Sequence, residues 1–214
     1  MKLLLTSGGL RNKTIIKALS ELTDKPFSEL NVAFIPTALN VESGDKDWAV
    51  AQMVRIQQLG VKQLDIVDPS AVDKEVWLPR LKESDIIFVN GGNTTHLMTC
   101  FNESGLTEEL PDLLKSRIYI GVSAGSYIAT PDIRFNTDNT DKVLKGLNFV
   151  DFGLQVHYKK PDHPVAKSYE AVKKRVQSCP YVVYALDDQM AVKVDGKHIE
   201  IVGEGEHAVF EPND

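Results

Sequence analysis

The sequence predicts an α/β fold: a three-layer α/β/α sandwich around a mostly parallel sheet, with β-hairpins at its C-terminal end. Two observations carry this. Through the first two thirds of the chain, short apolar runs alternate with stretches of helical periodicity. Such alternation means βαβ units, hence a parallel sheet with helices on both faces. The last third changes to closely spaced short strands, and Asp195-Gly196 between two of them is a tight hairpin signal.

Each element has its own signal. Residues 2–6 (KLLLT) read as a first strand. Only three leucines form that apolar core and Gly8-Gly9 follows at once, which favours a strand over a secretory leader. In 12–22, Ile15, Ile16, Leu19 and Leu22 share a helical face and Asn12 is placed to cap it. Strands are expected at 31–35, 62–67, 85–89 and 117–121, with helices at 45–59, stopped by Gly60, and at 73–82. Residues 94–115 read as helical, with Pro111 expected to split them in two. A helix is expected over 164–177, with Pro164 in its first turn and Val165, Tyr169, Val172 and Val176 on one face. Strands at 181–185, 190–194, 198–202 and 207–210 complete the chain. There is no repeat, low-complexity tract or linker, so residues 1–214 are expected to form one domain.

Composition excludes several function classes. A net charge of −6 argues against binding a nucleic-acid backbone. No apolar run approaches the ~18–20 residues of a membrane span. Two cysteines, Cys100 and Cys179, fit a reducing cytoplasm without a disulfide framework.

The chemistry concentrates at Gly121-x-Ser123-x-Gly125. A strand before it and a helix-compatible run after it would place Ser123 on a sharp turn, its hydroxyl beyond the carboxyl end of a sheet. Ligands of open parallel sheets bind at that edge. Thr6-Ser7-Gly8-Gly9, Pro36-Thr37-Ala38 and Asn90-Gly91-Gly92-Asn93-Thr94 fall there too. A Gly-Gly turn there can offer a backbone N–H to an oxyanion, or serve turn geometry alone. Neither phosphate-loop motif is present, and no His/Cys/Asp spacing suggests a metal.

A serine nucleophile needs a base. His157 ends a strand-like run, Leu154-Gln155-Val156, on the same sheet edge; His96 is the second candidate. His163 reads as a helix-start residue, and His198 and His207 as solvated strand positions. The acid that orients the base is Asp138, in a polar loop, or one of Asp187-Asp188 after the strand at 181–185. Periodicity does not choose between them.

Taken together these pieces resemble the peptidase E (aspartyl dipeptidase) family of serine peptidases, to which cyanophycinase also belongs. The matching segments run in order: Ile35-Pro36-Thr37-Ala38, Val89-Asn90-Gly91-Gly92-Asn93-Thr94, Gly121-Val122-Ser123-Ala124-Gly125, the Asp138 loop, Gln155-Val156-His157-Tyr158 and Ala185-Leu186-Asp187-Asp188. The resemblance implies a flavodoxin-like fold of the class I glutamine amidotransferase type, with serine where those enzymes carry cysteine. It implies Ser123 as nucleophile, His157 as base, and Gly91, Gly92 and the Ala124 amide as oxyanion hole. Asn93, Thr94 and Arg134 are expected to contact substrate, with Lys159 and Lys160 as further basic residues near the site. No metal or organic cofactor is implied.

This chain departs from the family at Val122, where the family has a bulky aromatic, and at Leu186-Asp187-Asp188-Gln189, where it has Leu-Pro-Glu-Gly. No residue here matches the family's pocket for an N-terminal aspartyl residue. The expectation is a cytoplasmic serine peptidase acting on small peptides, possible Asp-X dipeptides among them. Its partners would be a small peptide substrate, with no nucleic acid and no membrane, and it would act as a monomer or homodimer. The rivals are an amidase or esterase on a non-peptide substrate and a non-catalytic binding module of the same fold.

Overall fold

The computed structural model describes residues 1–134, 144–161, 163 and 166–212. Its strands are β1 (Lys2–Thr6), β2 (Asn31–Ile35), β3 (Gln63–Ile66), β4 (Ile86–Val89) and β5 (Ile118–Val122). There follow β6 (Gly153–Gln155), β7 (Val183–Leu186), β8 (Met190–Asp195), β9 (His198–Gly203) and β10 (His207–Phe210). Helices α1 (Lys13–Leu22), α2 (Asp47–Gln58), α3 (Lys74–Glu83), α4 (Thr94–Glu103) and α5 (Leu106–Leu113) alternate with the first five strands. The four-residue α6 (Ala124–Tyr127) follows β5, and α7 (Tyr169–Val176) precedes β7.

Period-two alternation along the strands decides the layers. Leu4, Phe34, Phe88 and Ile120 point to one side of the sheet, where Ile15, Leu19 and Leu22 of α1 and Ile56 of α2 cover them. Leu3, Leu5, Ile35, Ile87 and Val89 point to the other, against Trp77 of α3, Phe101 of α4 and Leu110 of α5. The large sheet runs β3-β2-β4-β5-β1-β8-β9, parallel from β3 to β1 and antiparallel at β8 and β9. The three-layer, mostly parallel reading holds.

Four details differ from the expectation. Pro111 lies inside α5 without ending it; the chain turns instead at Gly105, whose φ of 75° is a left-handed value glycine takes without steric cost. The helix read over 164–177 begins at Tyr169, because the Ser168 side chain accepts from the Ala171 N–H and caps it there; Pro164 and Val165 lie outside the described residues. Among the described residues, β8 and β9 alone form a hairpin. Finally, β10 folds back antiparallel on β7, and β7 pairs in parallel with β6, making a second sheet of order β10-β7-β6. That sheet is built from long-range partners, which local patterning does not encode.

The turn after β5 is tied down from within the core. The fully buried Tyr119 donates its hydroxyl to the Gly125 carbonyl at 2.6 Å, and burial pushes its phenol far above the ordinary value, so it stays a donor. Tyr119→Phe keeps the ring and strands that carbonyl. Urea unfolding of this variant is expected to show a loss of about 1–2 kcal/mol, the usual cost of an unmet buried hydrogen bond.

Candidate active site

Ser123 sits between β5 and α6 with φ 49° and ψ −105°, a strained conformation for a non-glycine residue. Its neighbours enforce it. The Ser123 N–H donates to the Thr6 carbonyl at 3.0 Å, and the Ser126 hydroxyl donates to the same oxygen at 2.8 Å. The flanking glycines are there for close approach: a Cβ at Gly121 would lie 2.7 Å from the Gly125 backbone, and one at Gly125 would lie 2.2 Å from the Val89 carbonyl. The sharp turn therefore packs directly onto β4 and β5.

His157 follows β6 with φ 53°, its backbone N–H donating to the Ser7 hydroxyl at 2.8 Å. Its Nε2 is 2.9 Å from Ser123 Oγ, and its Nδ1 is 2.5 Å from Asp188 Oδ1. Ser123, His157 and Asp188 thus form one hydrogen-bonded chain. His157 and Asp188 arrive together, because β6 and β7 are parallel neighbours and each side chain lies two residues beyond its strand's end. Burial alone would raise the Asp188 carboxyl. The hydrogen bonds and positive charge of His157 and Lys160 outweigh it and hold the group far below the usual carboxylate range. Lys160 Nζ donates to Asp188 Oδ2 at 2.7 Å, and Arg11 Nη2 stands 3.8 Å from the same oxygen.

A cavity of about 520 Å³ opens over this chain, lined in part by Gly91, Gly92, Asn93, Thr94, Ser123 and His157. A Cβ at Gly91 would stand 3.2 Å from that of Ser123, and one at Gly92, whose φ is 135°, would strike the Ala38 carbonyl at 2.2 Å. Among the described residues the N–H groups of Gly91, Gly92 and Ala124 have no backbone acceptor outside the regular elements. They are free to meet an oxyanion beside Ser123. Asn93 caps α4 by accepting from the His96 N–H, and the buried Thr94 hydroxyl has no partner among the described residues.

The remaining expected residues separate. Asp138 lies outside the described residues. Asp187 does not join the chain: its carboxylate accepts from the Gln189 and Glu206 N–H groups. Arg134 is absent from the cavity lining, a correction to its expected role. Its fork is taken up by Asp132 at 2.7 and 2.8 Å, and a further nitrogen donates to the Ser178 carbonyl. Lys159 pairs with Glu206, and His96 lines a separate cavity with its ring beside Cys100. His163 stacks on His157 with ring centroids 3.7 Å apart, and burial together with the charges of His157 and Lys160 pushes it down to about 4. Arg11, Glu42, Trp48 and Gln52 also line the cavity, and sequence reasoning had not singled them out. For Arg11 there was one signal: a cation just beyond Gly8-Gly9, at the sheet edge where ligands bind. Among the described residues no group of three or more His, Cys, Asp or Glu could hold a metal ion, and no helix is long and apolar enough to cross a membrane.

The chain belongs to peptidase family S51, whose sequence profile matches residues 3–202. It is 34% identical over 137 residues to an uncharacterized peptidase of Listeria monocytogenes, covering 59% of this chain and 65% of that protein. It is 31% identical over 161 residues to a peptidase E of Escherichia coli, covering 72% of this chain and 66% of that protein. The matches thus span less than two thirds of the length of these curated relatives. A crystal structure of a candidate peptidase E protein from Listeria monocytogenes superposes with a TM-score of 0.78 at 26% identity, over 95% of this chain and 98% of that one. A peptidase from an acI-B1 actinobacterium shares the fold at 17% identity, with a TM-score of 0.73 over 99% and 91% of the two chains.

The His163 environment has a measurable signature. The folded protein keeps this imidazole neutral down to about pH 4, whereas in the unfolded chain it takes up a proton near its ordinary value of 6.5. The unfolded state thus binds the extra proton in that window, and stability falls as pH falls from 6.5 towards 4. In His163→Phe, the slope of unfolding free energy against pH in this window is expected to be smaller by up to one proton, read from urea unfolding at several pH values.

Proposed function

We propose that this member of peptidase family S51 is a serine peptidase that hydrolyses small peptides through an acyl-enzyme. The observation that carries the reading is the unbroken chain from Ser123 Oγ to His157 to Asp188 beneath the cavity. Ser123 Oγ attacks the scissile carbonyl carbon as His157 Nε2 takes its proton. The carbonyl oxygen becomes an oxyanion held by the amides of Ala124 and the Gly91-Gly92 turn. Collapse breaks the C–N bond, and His157 returns its proton to the leaving amine. Water, deprotonated by the same imidazole, then attacks the ester and releases the acid, restoring Ser123. Asp188 stays ionised throughout and holds the proton on His157 Nδ1, so that Nε2 faces the serine.

A cavity of about 520 Å³ is in the usual range for a small-molecule site, which favours short peptides over folded chains. The free thiols of Cys100 and Cys179 support a reducing, cytoplasmic setting.

Ser123→Ala is expected to lower kcat by about 10⁴-fold or more while melting near the native temperature. A fluorophosphonate should give one adduct by mass spectrometry, on Ser123, which is lost in His157→Ala. Unchanged turnover in Ser123→Ala would sink the assignment.

A further inference from the structure

His157 and Lys160 stand at the two ends of one tight turn. The Lys160 N–H donates to the His157 carbonyl at 3.1 Å. Within the turn Lys159 has a φ of 54° and pairs with the exposed Glu206. Both ends of the turn reach the same carboxylate. His157 Nδ1 lies 2.5 Å from Asp188 Oδ1, and Lys160 Nζ donates to Oδ2 at 2.7 Å.

No other group holds Oδ2 so closely. Among the described residues no backbone N–H donates to Asp188; those of Gln189 and Glu206 go to its neighbour Asp187. Ser7 Oγ is 3.4 Å from Oδ1, and Arg11 Nη2 is 3.8 Å from Oδ2. The carboxylate is thus steadied by a lysine side chain that is 39% exposed and lines the cavity, rather than by fixed amides.

A charge so placed acts on the imidazole through the carboxylate. While His157 carries the proton taken from Ser123, the negative charge of Asp188 stabilises it. Lys160 offsets part of that charge from the far side, so the protonated ring gains less. The other groups around the pair do not cancel this effect. Arg11 adds positive charge at the same oxygen, and burial above all keeps His163 neutral near pH 7. Asp187 is taken up by backbone amides, and Glu42, also in the cavity lining, pairs with neither Lys160 nor Arg11.

We propose that Lys160 is a positioning residue that sets the working pH of the site. By pairing with Asp188 Oδ2 it keeps Oδ1 on His157 Nδ1 and takes up part of the carboxylate's charge. Ser123 is then activated at lower pH than a His157–Asp188 pair alone would allow. The proposal rests on the serine-peptidase reading above.

The test follows the rate at which a small fluorophosphonate labels Ser123 across the acid limb of its pH profile, in the native protein, Lys160→Met, Lys160→Gln and Lys160→Arg. The probe needs an activated serine and no particular substrate. The midpoint of the limb does not depend on how much of a preparation is active, so partial misfolding does not mimic a shift. In Lys160→Met the limb is expected to move up by about one pH unit, an about tenfold loss of rate on the acid side relative to the plateau. Lys160→Gln, which keeps a donor for Oδ2 without the charge, should move with Lys160→Met, and Lys160→Arg should stay with the native protein. The same shift is expected in a His163→Phe background, where the second imidazole cannot cause it. A limb unmoved in Lys160→Met or Lys160→Gln, moved equally in Lys160→Arg, or unmoved once His163 is replaced, overturns the role of Lys160 while the serine-peptidase reading stands. A native protein left unlabelled on Ser123 at every pH overturns both.

Discussion

Thr6 is the residue on which the arrangement of the site depends. It ends β1 at the middle of the large sheet, fully buried, and its polar atoms serve four partners. The carbonyl takes the Ser123 N–H and the Ser126 hydroxyl; the side-chain hydroxyl donates to the Gly121 carbonyl and accepts from the Gly9 N–H. One side chain therefore sets the turn that carries Ser123 and the turn that carries Gly8 and Arg11. The strain at Ser123 is tolerable because these bonds, together with the Tyr119 hydroxyl, leave the turn no relaxed alternative. The next residue, Ser7, extends the same support, accepting from the His157 N–H and lying 3.4 Å from Asp188 Oδ1.

What was readable in the sequence was local. The strands of the large sheet announce themselves by apolar runs, and Gly121-x-Ser123-x-Gly125 by the spacing that a packed strand-to-helix turn demands. Gly91-Gly92 was readable for the same reason, although its nearness to Ser123 comes from β4 and β5 being paired. Which aspartate meets His157 was not readable. Asp138 and Asp188 are both aspartates in plausible loops, and what brings Asp188 to His157 is the pairing of β6 with β7 across nearly thirty residues of chain. Arg134 misled because its true setting is invisible from the sequence: it pairs with Asp132, and Tyr181, which donates to the same carboxylate, is 49 residues on from Asp132.

The electrostatics explain why a half-buried carboxylate can sit behind His157, beside the cavity. Asp188 would be costly there if alone. His157 takes one oxygen and Lys160 the other, with Arg11 at the margin, so the charge is met on both oxygens. The cations that make the carboxylate tolerable, Lys160 and Arg11, also give that wall of the cavity its positive character. His163 completes this wall with a flat, uncharged ring lying against that of His157, which limits how far the base can swing.

The second sheet gives the molecule a modular character. His157 and Asp188 are delivered by neighbouring strands of the small sheet, Ser123 by the central strand of the large one. The two units share one core and are joined by several hydrogen bonds, among them Ser123 with His157, the His157 N–H with Ser7 and Gln155 with Tyr127. A change of element at position 123, oxygen for sulfur, would leave every support of the His157–Asp188 pair in place. The atom at position 123 can thus vary without rebuilding the His157–Asp188 pair beside it.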